Sequence, residues 1–105
     1  MTDARIILTT AASREEAQKI ASGLLTAQLA ACVNIVGPIE SHYWWKGAIE
    51  NAAEFLLLVK TSAAVVEQVS GKIRELHSYE VPEVIVVNIE EGDARYLEWI
   101  RDSVR

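Results

Sequence analysis

The spacing of hydrophobic residues changes from a strand-like to a helix-like period within the first third of the chain. Residues 5–10 (RIILTT) form a short, β-branched run that is typical of a β-strand. A stripe at helical spacing then predicts a helix with one buried face: Ala17, Ile20, Ala21, Leu24, Leu25 and Leu29. Ser13 and Glu16 have the spacing of a capping box, so we expect each side chain to accept a hydrogen bond from the other residue's backbone N–H.

The middle of the chain has the pattern of a long β-hairpin. Its first strand begins at Cys32, and Gly37-Pro38 predicts a bulge because proline cannot donate a hydrogen bond to a neighbouring strand. Polar and apolar residues alternate from Ile39 to Trp45, which indicates a strand with two different faces. Lys46-Gly47 is the predicted turn, and the return strand is expected from about Ala48 to Lys60.

The second half of the chain repeats the order of helix and strand. Ser62 is predicted to cap a second helix, which closes at His77-Ser78, and Pro82 prevents further helix. The apolar run from Val84 to Ile89 predicts a buried strand. Asp93 is expected to cap a last short helix.

This order, β-α-β-β-α-β-α, predicts an α+β fold: a ferredoxin-like βαββαβ sandwich with a long central hairpin and an extra C-terminal helix. Residues 1–105 are expected to form one domain, because a chain of this length has no room for a second core. Two helices cover one face of a four-stranded sheet, yet FLLLV and VIVVNI are apolar on both faces, and Trp44 and Trp45 must point to opposite faces. We therefore expect a closed homo-oligomer to cover the open face; the alternative is that the C-terminal helix covers it alone.

The composition argues against several classes of protein. With 10 basic and 15 acidic residues the net charge is −5, which argues against a nucleic-acid partner but leaves cationic ligands electrostatically possible. The single cysteine, Cys32, excludes an intrachain disulfide and is expected to be a buried apolar side chain, with a nucleophile beside His42 or His77 as the alternative. The N-terminus lacks a secretory pattern and the longest apolar run is too short for a membrane span, so a cytoplasmic location is expected.

His77 has two competing interpretations. A histidine at a helix C-terminus is favoured by the helix dipole, so a purely structural role is the more common one. A neutral imidazole is also a frequent metal ligand, and Glu80 and Glu83 could add oxygen ligands. No His-x-x-x-His or cysteine-rich spacing supports the metal interpretation.

Charged residues at even spacing share one face of the predicted third strand: Glu50, Glu54 and Lys60. In an oligomer they could meet a second polar group formed by Tyr43, Tyr79 and Glu83. A structural ion-pair network is one interpretation, and a cleft that binds a small ligand is the other. The chain has neither a glycine-rich phosphate loop nor a Gly-x-Ser-x-Gly motif, so we expect no enzyme, with acid–base catalysis by Lys60 or His77 as the minor alternative.

Five segments in order resemble the CutA divalent-cation tolerance family: LAACVNI, YWWKGAIE, EFLLLVKT, YEVPEVIVVNI and GDARYLEWI. The resemblance implies a ferredoxin-like subunit in a tight homotrimer, with long hairpins at the interface and an architecture similar to PII signalling proteins. It also implies a cytoplasmic protein that is linked to tolerance of copper and other divalent cations and has no agreed catalytic activity.

The resemblance also implies roles for particular residues. His77 occupies the position of the histidine in the family's His-Pro-Tyr turn, a proposed copper-ligand region. Family positions that line an intersubunit cleft are occupied by Trp45, Glu50, Lys60, Tyr79 and Glu83. Ser78 replaces the usual proline, and Thr9 stands where some members have a cysteine, so soft ligands for copper are missing.

These observations lead to two hypotheses. The first is a trimeric, non-enzymatic metal-response protein that binds Cu(II) or another divalent cation weakly at His77 and Glu80. The second is a PII-like module whose intersubunit cleft binds a small ligand or a protein partner.

Overall fold

The computed structural model describes residues 2–105, and these residues form the predicted ferredoxin-like α+β domain. The strands are β1 (Ala4–Ala11), β2 (Cys32–Trp45), β3 (Ala48–Ser62) and β4 (Ile85–Asn88). The helices are α1 (Arg14–Thr26), α2 (Val66–Leu76) and α3 (Ala94–Ser103), with a short 3-10 turn (Ala63–Val65) before α2. The strand order is β2-β3-β1-β4 and the pairings are antiparallel. Within the described residues no helix is both long and apolar enough to cross a bilayer.

The start of α1 differs in one respect from the predicted capping box. Ser13 Oγ accepts a hydrogen bond from the Glu16 N–H at 3.1 Å, as expected. The Glu16 carboxylate, however, accepts from the N–H of Ala12 at 3.3 Å and from that of Ser78 at 2.8 Å. Glu16 therefore links the start of α1 to the turn after α2 instead of closing a local ring with Ser13.

The hairpin of β2 and β3 has the predicted bulge and the predicted turn. Two residues of β2 between Val36 and Ile39 lie opposite one residue of β3, Phe55. Lys46 and Gly47 form the turn with φ angles of 50° and 81°, and two positive φ values are what a two-residue hairpin turn of type I′ requires.

Of the two other predicted helix caps, Asp93 forms capping hydrogen bonds and Ser62 does not. Asp93 caps α3, since its Oδ1 accepts from the N–H groups of Arg95 at 3.0 Å and Tyr96 at 3.1 Å. The prediction for Ser62 was wrong: this residue is the last of β3, its side chain forms no capping hydrogen bond, and the 3-10 turn separates it from α2. Ser62 does precede the 3-10 turn with the extended backbone of an N-cap residue (φ −119°, ψ 155°), but its hydroxyl accepts no backbone N–H there.

Strand β4 is shorter and more exposed than the predicted buried strand from Val84 to Ile89. It pairs only with β1 and forms an edge of the sheet, and its four residues are exposed in the single chain. The prediction of burial was therefore wrong for one chain, because an edge strand has no neighbour on its outer side.

One face of the sheet is covered by α1 and α2 and contains the hydrophobic core. The large side chains with no exposed surface include Ile7, Leu57 and Val59 from the sheet and Ile20, Leu24, Val69 and Ile73 from the helices. Burying each of these side chains stabilises the fold by about 1.5–3 kcal/mol. The main core thus lies on the helical side of the sheet, while Ala4 and Ile100 are buried on the other side, under α3.

The opposite face, called the open face here, is apolar but largely uncovered. Register places on it the side chains of Ile6, Leu8, Val36, Leu56, Leu58, Ile85 and Val87. Ile85 is 49% exposed, Val36 47% and Val87 40%. Helix α3 reaches one end of this face, where its Leu97 and Ile100 line a cavity with Ala4 and Ser62. Helix α3 covers only one end of the open face, so the alternative that it covers this face alone is wrong.

Candidate functional site

A groove of about 630 Å³ opens on the open face where the hairpin projects beyond the rest of the sheet. It is called the hairpin groove here, and its functional lining comes from β2, β3 and the turn before β4: Tyr43, Trp45, Glu54, Tyr79, Glu80 and Glu83. The bulge in β2 determines this lining, because it brings the odd-numbered residues from Ile39 onward onto the same face as the even-numbered residues of β3.

His77 is the residue that ends α2, and both of its ring nitrogens are engaged. Nε2 lies 2.6 Å from the carbonyl oxygen of Thr10, and Nδ1 lies 3.1 Å from the backbone nitrogen of Tyr79. A carbonyl can only accept, so Nε2 carries the proton and the Nδ1 lone pair accepts the Tyr79 N–H. This network assigns the neutral imidazole, which joins the end of β1 to the turn after α2.

The residues around His77 do not form a ready-made metal site. An imidazole coordinates a metal through a ring lone pair, and the one on Nδ1 is already used by Tyr79. Throughout the described part of the chain, no group of three or more His, Cys, Asp or Glu side chains is arranged to hold a metal ion. Glu80 lines the hairpin groove and is exposed. A cation at His77 would therefore have to displace a backbone hydrogen bond.

A buried carboxylate lies in the wall of the hairpin groove. Glu54 is only 8% exposed, and its Oε2 accepts a hydrogen bond from Tyr79 Oη at 2.7 Å. Burial and the neighbouring Glu54 raise the pKa of Tyr79 above its usual value, so its hydroxyl remains a neutral donor at physiological pH. Burial, together with the charge of Glu54, also raises the pKa of Glu83.

Glu16 anchors the turn that carries the groove residues. Burial alone would raise the pKa of Glu16, but hydrogen bonds from Ser78 and Ala12 outweigh it and lower the pKa. The Glu16 carboxylate accepts a hydrogen bond from the Ser78 N–H, and His77 Nδ1 accepts one from the Tyr79 N–H. The turn before β4 is thus fixed from both α1 and α2.

The structure brings some of the predicted cleft residues together within one chain, but not all of them. Trp45, Tyr79 and Glu83 line the hairpin groove, as does Glu80. Glu50 pairs with Tyr43 on the exposed part of the hairpin and is outside the lining. Lys60 is six residues from Glu54 along β3, about 20 Å for an extended strand.

Lys60 and Cys32 are neighbours at the other end of the sheet. They face each other across β2 and β3, and the Lys60 ammonium donates to the side-chain oxygen of Asn34. Cys32 is half-buried, and its cross-strand neighbour is a lysine and not a histidine. Within one chain, therefore, Lys60 does not reach the hairpin groove and Cys32 has no histidine beside it along the ladder.

Two residues that matter at the site were not among the predicted site residues. Glu16 was assigned only a local capping role, and nothing in the sequence connects it with Ser78. Glu54 was noted for its even spacing with Lys60, but only the structure shows that it is buried and bonded to Tyr79. The available signal for Glu54 was its position directly before the apolar run FLLLV, on the same face as Leu56 and Leu58.

Comparison with known proteins identifies the family. The family model described as CutA1 divalent ion tolerance protein matches residues 5–103. The chain belongs to the CutA1 divalent ion tolerance family. The CutA crystal structure from Xylella fastidiosa has a TM-score of 0.96 and 35% identity, with 99% of this chain and 100% of that chain covered.

Other CutA proteins that resemble the chain differ in length and in their stated location. The periplasmic divalent cation tolerance protein CutA of Archaeoglobus fulgidus has a TM-score of 0.94 and 43% identity, with 97% of this chain and 99% of that chain covered. Protein CutA 1 of rice (Oryza sativa subsp. japonica), named as chloroplastic, is 39% identical over 100 residues, which are 95% of this chain. The chain spans 56% of the length of that rice CutA protein.

Proposed function

We propose that this CutA1-family chain is a non-enzymatic divalent-cation tolerance protein that acts as a cytoplasmic homotrimer and binds Cu(II) or another divalent cation weakly. The observation that carries the proposal of weak binding is the engagement of both His77 ring nitrogens by backbone groups. Family membership supports the link with divalent cations.

His77 and Glu80 are the proposed ligands. To coordinate a cation, Nδ1 of His77 must give up the Tyr79 N–H, and an unsatisfied, partly buried N–H costs about 1–3 kcal/mol. Glu80 is exposed at the groove and close to His77 in sequence, so it can add an oxygen ligand once the turn moves. Every increment of about 1.4 kcal/mol in this cost weakens binding tenfold.

The apolar open face supports the homotrimer. Contiguous exposed apolar surface on a soluble protein marks an interface, and copies of the chain related by a closed rotation can bury it. The charges support the same arrangement. Within one chain Lys60 is too far from the carboxylates of Glu54 and Glu83 to pair with them, whereas a neighbouring copy can bring its own Lys60 close to them. We propose that Trp45, Glu50, Lys60, Tyr79 and Glu83 line clefts between the subunits.

The hydrogen bonds also support a non-enzymatic role. A general base needs a free lone pair, and His77 uses its own for a backbone N–H. The Lys60 ammonium is bound to Asn34, and the raised pKa of Tyr79 keeps that hydroxyl protonated. The cytoplasmic location rests on the single half-buried cysteine, which suits a reducing compartment.

Isothermal titration with Cu(II) tests the ligand assignment. We expect weak binding to the wild type, loss of binding in His77→Ala and Glu80→Gln, and unchanged binding in His42→Ala. His42 is the matched comparison because it is the other histidine, is exposed, and lines the hairpin groove from β2, with its Nε2 3.0 Å from the Glu40 carboxylate, so unchanged binding would assign the cation to the turn and not to β2. Cu(II) binding that persists in both His77→Ala and Glu80→Gln would show that the ligands are elsewhere.

The hairpin groove favours a second candidate function, a PII-like module that binds a small ligand or a protein partner. Its volume lies in the range of ordinary small-molecule sites. A ligand that binds the folded protein raises its melting temperature, so a thermal-shift screen of metals, nucleotides and anions separates this function from metal tolerance. A response to metals alone would exclude the second candidate.

A further inference from the structure

We propose that Tyr96 and Trp99 of α3 form an aromatic stripe that packs on the open face of a second copy of the chain, so that each α3 contacts two sheets. This contact rests on the proposed homotrimer and deepens it, because it names the surface that each copy presents to the open face of the next. Helix α3 covers only one end of its own open face, and the stripe of a neighbouring copy would cover more of it.

Helix α3 has a wider apolar side than its own chain uses. Successive side chains of a helix are about 100° apart, so an arc of roughly 160° contains the four apolar residues Trp99, Tyr96, Ile100 and Leu97. Ile100 is 1% exposed and, with Leu97, faces the chain's own sheet at the cavity under α3. Tyr96 is 45% exposed and Trp99 46%, so this half of the arc lies largely in solvent. Two adjacent aromatic rings beside an exposed apolar sheet are more than scattered surface residues, and such patches mark interfaces.

The stripe is one ordered surface. The centres of the Tyr96 and Trp99 rings are 5.4 Å apart, within the range of paired aromatic side chains. The Tyr96 N–H donates to the Asp93 cap at 3.1 Å, and the Trp99 carbonyl accepts from Ser103 Oγ at 2.7 Å. Because both residues are on a capped helix and contact each other, little conformational freedom is left to be lost on binding. Tyrosine and tryptophan are also residue types that often dominate the binding energy of interfaces.

The area of the stripe indicates that it is part of a larger interface. Two aromatic side chains that are nearly half exposed present on the order of 200 Å². A stable interface buries about 800 Å² on each partner, so the rest of the contact needs another apolar surface. The open face is such a surface, since α3 lies at one end of it and its Ile85, Val36 and Val87 are 49%, 47% and 40% exposed.

A second copy of the chain is the occupant that fits both surfaces. The apolar side chains that register places on the open face are aliphatic and the stripe is aromatic, so each chain carries two different apolar surfaces. Contact between different surfaces of identical chains is heterologous, and it closes into a ring such as a trimer when the rotation allows. The polar side of α3 carries two basic and two acidic residues: Arg95, Arg101, Glu98 and Asp102. Their charges cancel, which disfavours a nucleic acid or an anionic lipid surface as the partner.

Sedimentation velocity of Trp99→Ser over a range of protein concentrations tests this contact. Loss of the ring should raise the concentration at which the trimer dissociates roughly tenfold or more, the effect of removing an aromatic anchor. Trp44→Ser is the matched control, because Trp44 is 72% exposed on β2 and lies outside the stripe, and it should assemble like the wild type. Trp99→Phe keeps a ring and should assemble better than Trp99→Ser. Circular dichroism should show that all three variants are folded, since neither tryptophan belongs to the core.

Acrylamide quenching reports the environment of Trp99 directly. The fluorescence lost between the wild type and Trp99→Phe belongs to Trp99, and in the trimer it should be quenched many times more slowly than N-acetyltryptophanamide. Quenching at about half of that rate, as the 46% exposure in the single chain implies, would overturn this contact. So would a trimeric wild type with a Trp99→Ser variant that assembles as well as Trp44→Ser, and both results would leave the homotrimer standing. A monomeric wild type would overturn the homotrimer and the contact with it.

Discussion

The two faces of the sheet are built from the same strands but have different surroundings. On β3, Leu57 has no exposed surface and lies among the side chains of α1 and α2, whereas its neighbour Leu58 points to the open face and is half-buried. Residues that alternate along a strand differ only in which face they occupy. The helical face is completed by the chain itself, and the open face lacks such a cover over most of its area.

The candidate functional groups lie on the open side of the sheet, away from the core. The helical face contains the core, while the hairpin groove, Glu54 and the turn from Tyr79 to Glu83 are all on the open side. A surface that is not needed for the core can also accommodate the buried carboxylate of Glu54, which accepts a hydrogen bond from Tyr79. The same sheet therefore separates folding from recognition.

The largest effect is expected from truncation on the helical face. Leu57→Ala removes buried core volume and should reduce the free energy of unfolding by about 3 kcal/mol at any protein concentration. Leu58→Ala is the matched change on the open face. It should reduce the free energy of unfolding less at low protein concentration, and more at concentrations where copies of the chain assemble. Urea titrations at several protein concentrations measure both, and equal, concentration-independent losses would remove the distinction between the faces.

The next effect concerns assembly. Val87→Asp places a charge on the open face and should give a folded monomer instead of the proposed homotrimer, because a desolvated, unpaired charge opposes burial. Leu25→Asp on α1 is the control, since Leu25 is 43% exposed and Val87 40%. Light scattering gives the mass and circular dichroism the fold; a Val87→Asp protein of unchanged mass would argue that the open face is not the interface.

A smaller effect is expected from the two histidines. His77→Ala removes two hydrogen bonds that join β1, α2 and the turn, and should cost about 1–3 kcal/mol of unfolding free energy. His42→Ala removes an exposed side chain and should change it by less than about 0.5 kcal/mol. Thermal denaturation compares the two, and similar values would contradict the structural role of His77.

The smallest effects are the pH dependences of two glutamates with opposite signs. The pKa of Glu16 is lowered on folding, so its contribution is present above the unfolded pKa and is lost as pH falls through the folded value. The pKa of Glu83 is raised, so its ionisation opposes folding as pH rises through the acidic range. Melting curves from pH 3 to 7 should show that Glu16→Gln removes stability mainly at neutral pH, whereas Glu83→Gln adds stability there. Effects of the same sign would contradict this assignment.

Local signals in the sequence were enough for most of the fold. The stripe of α1, the bulge at Gly37-Pro38, the turn at Lys46-Gly47 and the cap at Asp93 each depend on residues close together in the chain, and the last three were confirmed. The stripe was confirmed for Ala17, Ile20, Ala21 and Leu24, whereas Leu25 is exposed and Leu29 lies beyond the end of α1. The resemblance to CutA proteins was confirmed over nearly the whole chain.

The candidate site was harder to predict because its contacts join distant parts of the sequence. Glu16 and Ser78 are 62 residues apart, and Tyr79 and Glu54 are 25 apart, so no spacing rule indicates that they meet. Ser62 has the residue type and the extended backbone of an N-cap, but its side chain forms no capping hydrogen bond and the 3-10 turn separates it from α2. The β4 prediction failed because apolar composition favours burial without indicating which chain provides the cover.

Sedimentation equilibrium of the wild-type protein tests the central claim that copies of the chain complete the open face. The account predicts one species of three times the 11.6 kDa chain mass over a wide range of protein concentrations. A stable, folded monomer of 11.6 kDa would contradict it.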